Sequence, residues 1–234
     1  GSRCESIVKK GGNTGYDISR PLNRVRDFFI IKSGSFRMEE KMSKTQPIKD
    51  EEMLKKFRNY YRDIEPNPRN YALIVFGLNS ALRISDILGL CWNDVYSDQN
   101  HRYREHIAVW EQKTGKENIL IVNQHAKEAL EYYRKTLLHY HKNDYIFQGQ
   151  KSGPEPLSRS QAFRIIKKAA NYYGFEQNIS CHSLRKTFGY FAWKNGTPPA
   201  LLMSIYNHSS YEITKRYLGI DQLEKDKVFL ETFL

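Results

Sequence analysis

No run of this sequence approaches the roughly 18 uninterrupted apolar residues that a membrane-spanning helix needs. Its N-terminus also lacks the short apolar core of a secretory signal. Both absences point to a soluble cytoplasmic chain with no membrane partner. Cysteine is scarce as well: Cys4, Cys91 and Cys181 stand far apart, forming neither a disulfide framework nor a paired metal-binding pattern. They read as packing or surface residues in a reducing compartment. Missing too are a glycine-rich phosphate loop, a helical HExxH metal motif and an evident carboxylate cluster for two magnesium ions. Phosphoryl chemistry driven by ATP or by a metal therefore lacks its parts, and no cofactor is expected.

Acidic charge is the last shortage. Against 37 Lys+Arg stand only 26 Asp+Glu, a net charge of +11 with a pI of about 9.4. Such an excess attracts polyanions, because neutralised phosphates release condensed counterions. Nucleic acid is the first partner to consider. What the chain does have is apolar material, 40% of 234 residues, enough for one core of ordinary domain size plus an appendage.

Residues 1–46 are that appendage. They hold ten Lys/Arg and five Asp/Glu, with "DFFII" as their only apolar cluster, too little to bury a core of their own. They read as a basic N-terminal arm or linker, the opening "GS" being a cloning remnant and Met38 or Met42 a possible natural start. From residue 47 to 234 the signals are regular. Asp50 caps a helix with Met53, Phe57, Tyr60 and Ile64 at helical spacing, stopped by Pro66 and Pro68. Further helices follow through "YALIVFGLNSAL" and "ISDILGL". The period then switches to two in "HIAVWEQ" and "ENILIVN", a β-hairpin around the turn-forming "KTGK". The remainder is helical: residues 124–140, residues 158–174 from a Ser158 cap, a helix ending near Gly196, a short one opened by Pro198-Pro199, and a last one over 220–234. The fold class expected is mainly α with a small antiparallel β-sheet, an α+β arrangement.

Four local features can carry chemistry. Arg83 falls between two helices with Asp86 one turn on, close enough for a salt bridge; alone, a surface ion pair is the blander reading. Lys113 and Lys116 bracket the hairpin tip, where a lysine can swing toward a ligand. His182 and Arg185 share a face of a first helical turn, where unpaired N–H groups and the helix dipole favour an anion; Leu184, Phe188 and Phe191 would anchor that helix in the core. Finally, "HSSYEITKRYL" places His208 before a capping box, Ser209-x-x-Glu212, with Tyr217 two turns along. Tyr217 shares a face with Ile213, so a packed core aromatic is the competing reading. Taken together, two arginines, two histidines, a mobile lysine and a tyrosine suffice to cleave a phosphodiester without metal.

In order and context these motifs resemble the catalytic domain of the tyrosine recombinases, the phage-type integrases. "ALRISDILGL" is similar to the family's first-arginine motif, "QKTGK" to its hairpin lysine, "HSLRKTF" to its HxxR box, and "NHSSYEITKRYL" to its second histidine and nucleophile. The resemblance spans roughly residues 47–218. It implies that Arg83 and Arg185 clamp the scissile phosphate while His182 and His208 hydrogen-bond it and assist proton movement. It implies further that Lys113, or else Lys116, protonates the leaving 5′-oxygen, that Tyr217 attacks phosphorus to give a 3′-phosphotyrosyl intermediate, and that Asp86 supports the first arginine. The implied partners are double-stranded DNA and further copies of the chain, dimer or tetramer, joined through the C-terminal helix by Ile220, Leu223, Phe229, Leu230 and Phe233; folding back in cis suits the same pattern. Asn207 departs from the glycine usual before the second histidine. A type IB topoisomerase-like relaxing enzyme and a catalytically silent DNA-binding regulator are the alternatives. Localisation would be cytoplasmic and nucleoid-associated; the DNA site, and the choice among integration, excision, resolution and inversion, are not encoded in these motifs.

Overall fold

The computed structural model describes residues 45–149, 155–220 and 222–232. The expected arm at 1–46 lies outside them apart from Thr45 and Gln46. Gln46 donates its N–H to the Asn178 carbonyl at 3.1 Å, which seats the start of the described chain.

The capping residues explain where the first helices begin. Asp50 Oδ1 accepts from Met53 N at 2.7 Å and starts α1 (Glu51–Asp63), satisfying one of the orphan donors of a helix N-terminus. Asn67 caps α2 (Pro68–Ser80) through Asn70 N, with Pro68 at the first helical position, where a missing N–H does no harm. From Ala72 to Leu78 every residue of α2 is buried, Leu73, Ile74, Val75 and Phe76 among them. It is therefore the central rod, packed on α1, α5 (Gln124–Arg134) and α7 (Cys181–Lys194). Its approach to α7 is close, because a Cβ at Gly77 would stand 2.6 Å from Leu184 Cδ1.

Beyond α2 the chain enters α3 (Ile84–Leu88) and α4 (Trp92–Val95) and then two separate antiparallel ladders. The first pairs β1 (Tyr96–Ser97) with β2 (Arg102–Tyr103), and the second pairs β3 (His106–Trp110) with β4 (Glu117–Ile121) in the register Ile107↔Leu120 and Val109↔Asn118. The fold class is thus as expected, but the single sheet becomes two. Two-residue strands are too short to leave a period in the sequence. After the hairpin come α5 and α6 (Arg159–Tyr172), whose Ser158 makes a reciprocal capping box with Gln161. Helix α5 ends at Arg134, short of the residue-140 limit expected, where the Thr136 and Leu137 N–H groups turn to Tyr133 and Arg134.

The C-terminal third is α7, α8 (Pro199–Tyr206), α9 (Tyr211–Leu218) and α10 (Gln222–Glu231). Ala81, Leu202, Tyr206 and Leu218 form a small core of their own here, with Tyr217, Phe188 and Ile220 packed against it. On α7 the deeply buried face is Ser183, Leu184, Thr187 and Tyr190, whereas Phe188 and Phe191 are only partly covered. The expected apolar stripe of α7 is therefore rotated toward small and hydroxyl residues. Glu224, also buried, accepts from Tyr190 Oη at 3.0 Å and Lys49 Nζ at 3.1 Å, holding α10 against its own chain. Farther along α10, Val228, Phe229 and Leu230 are exposed. Phe233 and the side chain of Leu223 lie outside the described residues.

Gly189 is where these helices meet. A methyl group at that position would collide with Tyr206 Oη and with Leu218 Cδ2, so the absence of a side chain lets α8 and α9 close on α7. Gly189→Ala is expected to lower stability by about 1–3 kcal/mol, the usual range for overpacking, read as a fall in the urea midpoint. An unchanged midpoint would show that the α7–α8–α9 contact is slack.

Candidate active site

The hairpin's inner face is set by strand alternation. Ile107 and Val109 point inward, and the same period carried two residues further buries Glu111, 1% exposed. A carboxylate so placed needs charged or hydrogen-bonding partners. Arg83 Nη1 stands 2.7 Å from Glu111 Oε2, and Arg185 Nη1 stands 3.9 Å from Glu111 Oε1. Thr114 Oγ1 donates to Oε2 at 2.6 Å and Asn207 Nδ2 at 3.4 Å. Burial by itself would push the Glu111 pKa upward. The Thr114 hydroxyl, the Arg83 contact and the charges of both arginines outweigh it and hold the group below the ordinary glutamate value, so it is ionised at neutral pH.

Arg83 reaches this carboxylate because of the backbone before it. Ala81 ends α2 in the left-handed region, φ 54°, and Arg83 then takes an extended conformation as the N-cap of α3. The expected Arg83–Asp86 pair does not form. Asp86 instead accepts the Gln112 N–H at 3.0 Å, tying the hairpin root to α3, and Glu111 takes the arginine because strand alternation delivers it to the same place. Arg185 comes from the first turn of α7, and its guanidinium lies 4.8 Å over the Tyr206 ring while Tyr206 Oη donates to the Arg185 carbonyl at 2.7 Å.

Tyr206 also organises the second half of the site. His208 stacks on it, 5.5 Å between centroids at 25°, and Tyr217 lies 5.3 Å from Tyr206 and 5.2 Å edge-on from His208. Asn207 between them is left-handed, φ 54°, a conformation that asparagine adopts more readily than most non-glycine residues. Its departure from glycine therefore leaves the turn intact. The cap of α9 is Ser210 rather than Ser209, its Oγ accepting from Ile213 N at 3.4 Å. Ile213 faces solvent, 45% exposed. The face that Tyr217 uses is therefore not an Ile213 stripe but the wall made by Tyr206 and His208.

Protonation follows from this enclosure. Burial raises the Tyr217 hydroxyl above the ordinary tyrosine value, and the charges of Arg185 and Arg83 offset that only in part. His208 is pushed down by burial, then by Arg185 and Arg83. His182 keeps a solvent-exposed edge. Even so, loss of hydration on its inner side, followed by the charges of Arg185, Lys186, Arg159 and Arg83, lowers it too. Both histidines are neutral at pH 7 and able to donate or accept through one nitrogen each. Among the described residues, four buried side-chain polar atoms have no directed hydrogen bond: Arg83 Nη1, Arg185 Nη1, Asp86 Oδ2 and Glu111 Oε1. All four belong to this cluster, whose two cationic members suit an added anion.

Six of the eight residues singled out from the sequence thus sit in or beside one cluster. Lys113 and Lys116 are exposed on the turn, and their side chains make no hydrogen bond or ion pair among the described residues. The turn itself is anchored, Thr114 through Glu111 Oε2 and Gly115 N through the Glu111 carbonyl at 2.8 Å. Sequence reasoning passed over Glu111 and Tyr206. The period-two continuation from Ile107 and Val109 was the available signal for Glu111, while a tyrosine at the end of α8 carried no comparable mark.

Residues 42–224 match the model of the phage integrase family. The chain is 40% identical over 177 residues to a probable integrase/recombinase, YoeC, of Bacillus subtilis, covering 76% of this chain and 91% of that protein. It is 28% identical over 158 residues to the tyrosine recombinase XerD of Chlorobaculum tepidum, covering 66% of this chain and 49% of XerD. The fold is similar to the crystal structure of the XerH site-specific recombinase bound to its palindromic difH substrate, with a TM-score of 0.60, 22% identity and 79% of this chain aligned to 53% of that one. The chain therefore spans nearly all of YoeC but about half of XerD and XerH.

Two outcomes test the electrostatics. Because His182 and His208 have folded pKa values below their unfolded value of 6.5, the unfolded state binds protons first on acidification. Stability is expected to be flat in their contribution above about pH 6.5 and to decline as pH falls from there toward the folded values. The urea midpoint measured between pH 7 and 5.5 should fall in the wild type and less steeply in the His182→Asn/His208→Asn double variant; equal slopes would refute the neutral-histidine assignment. Removing the shared carboxylate with Glu111→Gln should lower unfolding stability by about 3–5 kcal/mol, the range for breaking a buried ion pair from one side. A loss under about 1 kcal/mol, the level of an exposed pair, would mean that the arginines do not depend on it.

Proposed function

This chain belongs to the phage integrase family, and from that premise we propose that it is a site-specific DNA strand transferase using Tyr217 as nucleophile. The observation that carries the proposal is the convergence of two guanidinium groups, Arg185 buried and Arg83 partly so, held on one carboxylate beside an enclosed tyrosine whose ionisation both of them favour. Arg83 and Arg185 would hold the non-bridging oxygens of one phosphodiester, and neutral His182 and His208 would hydrogen-bond the same anion. The Tyr217 oxygen then forms a bond to phosphorus as the P–O5′ bond breaks. The tyrosine proton passes to the bare ring nitrogen of neutral His182, and Lys113, with Lys116 as the second choice, donates a proton to the departing 5′-oxygen. A new 5′-hydroxyl reverses the step. Because the 3′-phosphotyrosyl linkage preserves the phosphodiester bond, neither ATP nor a metal enters the balance. Asp86 supports the site through the Gln112 N–H rather than through Arg83.

Double-stranded DNA is the partner that the net charge of +11 favours, and residues 47–234 would form the catalytic domain. The exposed Val228, Phe229 and Leu230 of α10 support assembly with further copies on DNA. Among the described residues no helix is long and apolar enough to cross a membrane.

The test is a nicked duplex carrying a candidate recombination site, which traps the covalent intermediate by letting the short 5′-hydroxyl strand diffuse away. Wild type should give a detergent-resistant protein–DNA adduct, Tyr217→Phe none, and Arg185→Lys one formed about 10²–10³-fold more slowly, as when an anion-stabilising donor is lost. An adduct with Tyr217→Phe would overturn the nucleophile. Relaxation of supercoiled DNA without strand exchange would instead favour the topoisomerase alternative.

A further inference from the structure

His208 is held on three sides. Its ring is stacked on Tyr206 and lies edge-on to Tyr217, and its Nδ1 lies 3.0 Å from Thr214 Oγ1. Thr214 is fully buried on α9, so its hydroxyl proton must choose among protein acceptors rather than water. Two are in reach: His208 Nδ1 at 3.0 Å and the Ser210 carbonyl at 3.4 Å. The carbonyl is the poorer choice, being 0.4 Å farther (3.4 less 3.0) and already accepting the Thr214 N–H at 3.3 Å. A neutral imidazole has one N–H and one lone pair. If Nδ1 accepts, the proton of the ring is on Nε2.

We propose that Thr214 is a positioning residue that locks His208 in the Nε2–H tautomer, making the imidazole a hydrogen-bond donor to the bound phosphate rather than the base that deprotonates Tyr217. The inference rests on the reading of this site as a DNA strand transferase. Nε2 has no hydrogen-bond partner among the described residues, and the groups whose charges are felt at the ring are Arg185 and Arg83, the pair that would hold the anion. With Nδ1 occupied and Nε2 carrying the proton, His208 has no lone pair left for the tyrosine proton. The opposite tautomer would give the opposite role: Nδ1–H donating to Thr214, the threonine donating to Ser210, and a basic Nε2 turned toward the site.

The free protein reports the tautomer directly. With ¹⁵N-labelled histidine at about pH 8, above the ordinary histidine range, long-range ¹H–¹⁵N spectra should show His208 Nε2 as the protonated nitrogen and Nδ1 as the bare one. Thr214→Val keeps the shape of the side chain but removes the donor, so the two tautomers should mix; Thr214→Ser should restore the single form. On the nicked duplex, Thr214→Val should form adduct about 10–100-fold more slowly, by analogy with the loss of a residue that orients a metal-bound histidine, with Thr214→Ser close to wild type and DNA affinity unchanged. A wild-type spectrum with Nδ1 protonated, or a tautomer indifferent to Thr214→Val, overturns the proposal. A wild type of the expected tautomer that forms no adduct overturns the strand-transfer reading and not the tautomeric lock.

Discussion

A carboxylate with almost no exposed surface, between two arginines from distant parts of the chain, is the constraint around which this structure is arranged. Glu111 stands on the hairpin, Arg83 at the head of α3 and Arg185 on α7, so one acidic group pins three elements that share no local sequence. One buried and one partly buried guanidinium ion drawn to the same carboxylate would repel each other in a poorly screened interior. The shared negative charge makes their proximity tolerable, while Arg185 Nη1, 3.9 Å from it, remains without a directed hydrogen bond. The site is thus pre-assembled and yet electrostatically incomplete, which suits a group meant to receive a phosphate.

The rest of the C-terminal architecture serves that pair. Tyr206 lies under the Arg185 guanidinium and binds its backbone carbonyl, so α8 is locked to α7 at the residue that matters. Gly189 allows the close approach that this requires. The left-handed turn at Asn207 then sends the chain into α9 with His208 and Tyr217 on the same aromatic wall. Tyr217 is docked in its own chain beside the arginines, at the expense of a hydroxyl that burial makes harder to ionise.

Much of this was legible in the sequence. Asp50 and Ser158 mark helix starts through their own side-chain chemistry, and the hairpin shows in its change of period, so element types came through well. The six clustered residues, both arginines included, were legible as a set because each stands in a local motif. What escaped was decided by tertiary placement. Arg83 chooses Glu111 over Asp86 because a backbone turn at Ala81 and a strand register meet in space, and neither leaves a mark on the residues between. Tyr206 looked like any aromatic ending an apolar helix, and the cap of α9 shifted by one residue because two adjacent serines offer the same oxygen. The two-residue strands β1 and β2 are held by surrounding packing rather than by a pattern of their own.

The hairpin tip carries one further consequence. Its backbone is knitted to Glu111 and Asp86 at the root, so only the lysine side chains above it are loose. Exposed rotamers interconvert in picoseconds to nanoseconds, far faster than the making or breaking of a phosphorus–oxygen bond. In the proposed reaction the proton donor is therefore in rapid pre-equilibrium among its positions, and no opening or closing of a flap times its arrival. Its contribution to the barrier is entropic: freezing one lysine into the productive rotamer costs about 1.5–2 kcal/mol, a fixed toll that recurs with every strand cut and every strand rejoined.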